Sequence, residues 1–132
     1  SNLIEITFAN SESLISRQKT LLDRVKTRQS YFLTITQGIF ETTVIANKEL
    51  RQHILKSYKD EKIISHFDNL SSLNVRLPKN NPLIPGIYSY ILKSLAWEGI
   101  SIIEVVSTCH EFTLVLRDED IDSAFSTIKH LF

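Results

Sequence analysis

Glu41-Thr42-Thr43-Val44-Ile45 and Glu111-Phe112-Thr113-Leu114-Val115 read as two versions of one strand. They lie 70 residues apart, and the same spacing carries Leu21 onto Ile91, Leu22 onto Leu92, Val25 onto Leu95, and Phe32, Leu33 and Ile35 onto Ile102, Ile103 and Val105. It also carries Leu3 onto Leu73, Glu49 onto Glu119 and Leu55 onto Phe125 with no gap. Identities are few. The agreement lies in the apolar pattern, which is the part of a sequence that a shared fold constrains. The chain is therefore read as an ungapped internal duplication with units 1–69 and 70–132.

Working outward from the paired strands, each half shows the same order of periodicities. In the first, Ile4, Ile6 and Phe8 alternate with Glu5 and Thr7, the mark of a half-buried strand. Leu14, Gln18, Leu21, Leu22 and Val25 follow helical spacing, with Ser11 or Ser13 as N-cap. Tyr31 to Thr36 is rich in aromatic and β-branched residues, Gln37-Gly38 is a turn, and Ile39 to Ala46 returns as a strand. Asn47 then caps a helix with Leu50, Ile54, Leu55 and Tyr58 on one face, and Lys62 to Asn69 can add a last strand.

In the second half Leu73, Val75 and Leu77 alternate until Pro78. A helix runs from about Pro85, suited to a first turn, to Gly99, a natural stop. Ile100 to Val106 is a strand, followed by Phe112, Leu114 and Leu116 on one face of the next. Asp118-Glu119-Asp120 puts negative charge at the start of a helix whose buried stripe is Ile121, Ala124, Phe125 and Ile128. The order βαββα, twice, predicts an α+β fold: tandem ferredoxin-like βαββα(β) units with antiparallel sheets and helices on one face.

Composition narrows the function. Lysine plus arginine and aspartate plus glutamate are 15 each among 132 residues, so the net charge is zero, where a phosphate-gripping domain usually carries a basic excess. Hydrophobic residues at 42% and charged residues at 23% fit a globular domain. The single cysteine, Cys109, allows no internal disulfide and fits a reducing, cytoplasmic compartment. No apolar run approaches the ~20 residues of a membrane span, and Asn2 to Phe8 is too short and lacks the basic leader of a signal peptide. The chain has no methionine and begins Ser1-Asn2, the form left by tag removal, so it reads as a piece of a longer protein.

The segment Asn81-Pro82-Leu83-Ile84-Pro85-Gly86-Ile87, with Leu92, Leu95-Ala96 and Glu98-Gly99-Ile100-Ser101-Ile102, resembles the start of an ACT domain. Val106-Ser107-Thr108, Glu111 and Arg117-Asp118-Glu119-Asp120 with Ala124 resemble the regulatory end of aspartokinases. The resemblance covers Leu70 to Phe132 well and reaches Asn2 to Ile64 only through the repeat. It implies a non-catalytic regulatory module that binds a small effector, an amino acid by preference, and associates with copies of itself as a homodimer or larger homo-oligomer. It also implies a site: Asn81, Pro85, Gly86 and Ile87 match the family's ligand loop, and Ser107, Thr108 and Glu111 match the turn region between the second and third strands. The physics agrees, because Gly86 leaves the backbone open to close approach and the free N–H groups of a first helical turn can hold a carboxylate. Pro85-Gly86 can equally do no more than start a helix. Ala9-Asn10-Ser11-Glu12-Ser13, the equivalent stretch of the first unit, lacks Pro-Gly.

Other chemistry is sparse. Cys109-His110-Glu111 has no second ligand cluster to complete a metal site. Asp118, Glu119 and Asp120 are explained by a helix start, and Arg24, Lys26 and Arg28 by a solvated helix end. No phosphate loop, cofactor motif or assembled catalytic set is present, and no enzyme activity, cofactor or metal is expected. Two rival readings remain. One is a pure dimerisation module. The other is a ferredoxin-like RNA-binding domain using Tyr31, Phe32 and Phe112, against which stand the neutral charge and a sheet face of Ile102, Val106, Leu114 and Leu116 without stacking groups.

Overall fold

A computed structural model of the chain describes residues 2–25, 31–76, 86–107 and 111–131. The chain forms two compact units, Asn2–Asn69 and Leu70–Phe132. The elements are β1 (Leu3–Ala9), α1 (Leu14–Val25), β2 (Leu33–Gln37), β3 (Glu41–Asn47), α2 (Arg51–Ser57), β4 (Ile63–Arg76), α3 (Ile87–Trp97), β5 (Ile102–Ser107), β6 (Glu111–Arg117) and α4 (Ile121–Leu131). A single 3-10 turn leads into α2 and another into α4. The fold is α+β, with antiparallel strand pairing and the helices of each unit on one face of its strands.

In the first unit the strand order is β2-β3-β1-β4. Ile4, Ile6 and Phe8 of β1 and Val44 and Ala46 of β3 share one face and pack under Leu14, Leu21 and Val25 of α1 and Leu50, Ile54 and Tyr58 around α2. The period of two in the strands and of three to four in the helices brings these residues together. Leu22 and Leu55, assigned to the buried faces from their spacing, are exposed: each sits one position round from a buried neighbour, at the margin of its stripe. In the second unit the order is β4-β6-β5. Leu73 and Val75, Phe112, Leu114 and Leu116, and Ile102 face Ile91, Leu95, Ala124 and Ile128. Phe125 lies outside this core at 55% exposure, because Ala124 and Ile128 already point the helix inward and the residue after Ala124 turns out. Gly99 closes α3 at φ 75°, and Ile100 N–H donates to the Leu95 carbonyl at 3.0 Å, as a left-handed glycine stop requires.

Several expectations need correction. The turn between β2 and β3 is wider than Gln37-Gly38: Ile39 and Phe40 belong to it, at 87% and 82% exposure, and β3 starts at Glu41. Gly38 N–H donates to the Glu41 carbonyl at 2.8 Å and closes the loop before pairing begins. Asn47 does not cap with its side chain. Its Oδ1 accepts from Phe32 N–H at 2.5 Å, across to the start of the β2 arm. Ile102, Leu114 and Leu116 face the helices, so the other face of that sheet carries Val106, Thr113 and Val115 instead, the last two buried.

The repeat is not ungapped. Leu3 pairs with Asn47 and Ala9 with Glu41, whereas Leu70 pairs with Arg117 and Arg76 with Glu111. The first strands therefore correspond at a spacing of 67, while β3 and β6 correspond at 70. Matching Leu3 to Leu73 joins residues on opposite faces, since an odd shift inverts a strand. Ile6 is the counterpart of Leu73, and both lie against their cores. Ala9 to Leu21 spans twelve residues and Arg76 to Ile91 fifteen, so the connection from first strand to first helix is three residues longer in the second unit.

Candidate functional site

In the second unit the register gathers one end. Arg76 closes the described part of β4 opposite Glu111, the first residue of β6, and Ser107 closes β5 opposite Phe112. The first turn of α3 lies over this end: Tyr88 meets Phe112 edge to face, with ring centroids 4.9 Å apart and an 84° angle between planes. Phe112 is 1% exposed and forms the floor.

Of the residues singled out from sequence, Gly86, Ile87, Ser107 and Glu111 are described. Asn81, Pro85 and Thr108 lie outside the described residues, as do Leu77, Pro78, Cys109, His110, Lys26 and Arg28. Gly86 is exposed and is the N-cap of α3, at φ 81° and ψ −1°. A Cβ built there meets nothing within 4 Å, so the approach to the backbone is open, but the left-handed angle is one that few side chains accept. The Gly86 carbonyl accepts from Tyr90 N–H at 2.8 Å. The N–H groups of the first turn precede any such intrahelical pairing, and the helix dipole concentrates positive potential there. Ile87 is half-buried against the core, while Ser107 is exposed. Glu111 Oε2 lies 3.7 Å from Arg76 Nε. Arg76 was not singled out from sequence, where it reads as the polar half of an alternating strand; only the register sets it beside Glu111 and the loop. Together these groups offer N–H donors and a guanidinium for a carboxylate, and a carboxylate for an ammonium.

The equivalent end of the first unit is arranged differently. Ala9 stands where Arg76 stands, opposite Glu41. Ser11 and Ser13 do not cap α1 with their hydroxyls. Both donate to the Glu61 carboxylate, Ser13 at 2.6 Å, and Arg17 Nε lies 3.5 Å from it. Asn10 donates to the carbonyls of Gly38 and Ile39 at 2.9 and 3.0 Å and accepts from Thr42 Oγ1 at 2.7 Å, tying this connection to the β2–β3 turn. Below, Tyr58 stacks on Phe8 at 4.4 Å, and burial, then the charge of Glu61, pushes its phenol up to about 12.

A groove of about 660 Å³ on the helical face of the second unit, lined by Tyr90, Lys93, Trp97, Glu98 and His130 among others, contains none of the residues singled out from sequence as ligand-binding. Among the described residues no group of His, Cys, Asp and Glu is placed to hold a metal, and no helix is long and apolar enough to cross a membrane. Asp118 accepts from Ser71 Oγ at 2.5 Å at the 3-10 turn before α4, which accounts for it structurally.

No protein-family model matches the chain, and no curated protein does. Solved structures do. Aspartate kinase of Clostridium acetobutylicum superposes with a TM-score of 0.79 at 13% identity, over 99% of this chain and 33% of that one. The ligand-free regulatory subunit of aspartate kinase from Thermus thermophilus gives 0.73 at 11% identity, over 99% of this chain and 93% of the subunit. Escherichia coli aspartokinase III, in complex with lysine and aspartate in its T-state, gives 0.67 at 12%, over 99% and 31%. The chain thus spans about a third of the complete kinases and nearly the whole of the separate regulatory subunit. The fold is that of the regulatory regions of aspartate kinases.

Proposed function

We propose that the chain is a non-catalytic regulatory module of two ACT-like units, 1–69 and 70–132, that binds a small amino acid or related carboxylate at the loop end of the second unit and associates with copies of itself. The observation that carries this reading is the match, end to end, with a regulatory subunit that exists apart from its kinase domain. The complex of aspartokinase III with lysine and aspartate makes an amino acid the natural first class of effector to test. The α-carboxylate would take the N–H groups around Gly86 and Ile87 and the Arg76 guanidinium. The ammonium would take Glu111 and the side-chain oxygen of Asn81, with Pro85 shaping the loop and Ser107 or Thr108 approaching from a neighbouring unit. No cofactor, nucleic acid or membrane enters this reading, and the compartment is cytoplasmic. The RNA-binding alternative loses its stacking platform, since Phe112 is buried and Tyr31 packs against the first core.

A melting screen of the twenty amino acids tests the proposal. A ligand that binds only the folded state adds RT ln(1 + [L]/Kd), about 2.7 kcal/mol at a hundredfold excess over Kd. If none shifts the melt, the assembly-only reading takes its place. That second reading has its own support in Trp97, 90% exposed, and in exposed Tyr90, Phe125, Ile63, Ile64 and Phe67. Sedimentation at tens of micromolar should show a dimer or larger species, and monomer alone would contradict self-association.

Gly86→Val is not the clean probe that an ordinary glycine would allow. At φ 81° a β-branched side chain is strained, at a cost of at least about 1–2 kcal/mol. Gly86→Asn, which tolerates this conformation, should keep the fold and narrow the approach to the backbone. Expected outcomes are a lowered melt for Gly86→Val, a near-native melt for Gly86→Asn, and a weakened effector shift in both.

A further inference from the structure

Glu61 is a carboxylate with only 4% of its side chain exposed, held by groups about fifty residues earlier in the chain. Ser11 and Ser13, in the connection before α1, each donate a hydroxyl to it, one oxygen apiece, and Arg17 from α1 stands beside it. A buried carboxylate survives only where donors replace its water. The chain also accepts backbone strain to deliver it: Asp60, immediately before, sits at φ 71°, where few non-glycine residues lie. Arg17 Nε stands 3.5 Å from Glu61 Oε2, a longer contact than that of Ser13, and its charge also favours the carboxylate. The tether from the α2–β4 turn holds the carboxylate closer to Ser13 than to the arginine.

We propose that Ser11, Ser13 and Arg17 form a binding site for a small carboxylate in the first unit, and that Glu61 is its tethered resident ligand. The first unit then carries its own occupant. A group held on a short tether presents itself at millimolar or higher effective concentration, so free carboxylates at ordinary levels do not displace it. Removing the Glu61 carboxylate should open the site to a free one. This is independent of whether the second unit binds an amino acid, because no residue is shared with that site.

The test is chemical rescue. Glu61→Ala removes a fragment the size of acetate. Its melt should lie below that of the wild type and rise saturably by several degrees with sodium acetate, less with formate, and not with sodium chloride at equal ionic strength. The wild type should show no saturable response. Adding Ser11→Ala and Ser13→Ala should remove the rescue. Acetate acting no more than chloride, or acting equally without the serines, would overturn the proposal. If Glu61→Ala does not fold, Glu61→Gln keeps the shape and loses the charge. The serine hydroxyls, with Arg17, hold the Glu61 carboxyl below its usual value of 4.5 against the opposing effect of burial. A depressed carboxyl stabilises the fold fully above its unfolded value and less as pH falls through the folded one. The wild type should therefore melt above Glu61→Gln at neutral pH, and the gap should narrow as pH falls below 4.5; a gap constant from pH 7 to pH 3 overturns the proposal.

Discussion

Phe112→Ala is expected to destabilise the second unit by about 3–5 kcal/mol, the cost of emptying a large buried aromatic site. Phe112 is almost wholly buried, pairs with Ser107 across β5 and β6, and seats Tyr88 of the first α3 turn edge to face. Its loss removes both core volume and the support that aims the start of α3. Denaturant unfolding measures the first effect, and any effector-induced shift should fall with the second. Phe125→Ala is the matching control. That ring is largely in solvent, so its truncation should change stability by no more than about 0.5 kcal/mol. Equal effects at the two positions would mean that the packing of α3 and α4 described above is wrong.

Arg76→Ala should abolish the effector shift while barely moving the melt of the free protein. The Arg76–Glu111 pair is solvent-exposed, with Arg76 itself mostly free of the surface, and exposed pairs contribute about 0–1 kcal/mol. Bound to an amino acid, the same guanidinium faces a full carboxylate, and its loss should remove most of the roughly 2.7 kcal/mol stabilisation seen at a hundredfold excess. Glu111→Gln should do the same for an α-ammonium ligand and leave binding of a simple carboxylic acid intact. Titrating each variant with an amino acid and with its deaminated analogue separates the two roles. Were both variants to respond like the wild type, the effector would lie elsewhere.

Periodicity made the fold legible because each unit is built from short amphipathic elements whose core residues are mostly aliphatic, with a few aromatic rings among them. Ile4, Ile6 and Phe8, or Ile91 and Leu95, could be placed inward from spacing alone. Stripe margins were less legible: Leu22, Leu55 and Phe125 have the right chemistry for burial, and only the crossing of helix over sheet decides that they stay in solvent. Register was not legible either. A three-residue difference between the two connections leaves apolar residues aligned with apolar residues, as Leu3 with Leu73, although the faces are opposite. Half of the candidate site rested on Gly86, where local conformation follows from residue type. Arg76 and Glu61 escaped because their importance comes from strand pairing and a contact across fifty residues, neither of which has a local signature.

The longer connection between β4 and α3 bears on how such modules diversify. Closing a flexible loop costs entropy that grows only with the logarithm of its length, about 0.6 kcal/mol for each doubling. From Ala9 to Leu21 is twelve residues and from Arg76 to Ile91 fifteen, so lengthening on this scale costs on the order of a few tenths of a kcal/mol. That is small beside the several kcal/mol by which a folded domain is stable. A unit of this kind can therefore vary the length of its first connection at little cost, while that of the first unit is tied to the β2–β3 turn through Asn10. Length is cheap there, but sequence is not: in the first unit Asn10, Ser11 and Ser13 are committed to the β2–β3 turn and to Glu61, so an exchanged connection has to keep those contacts.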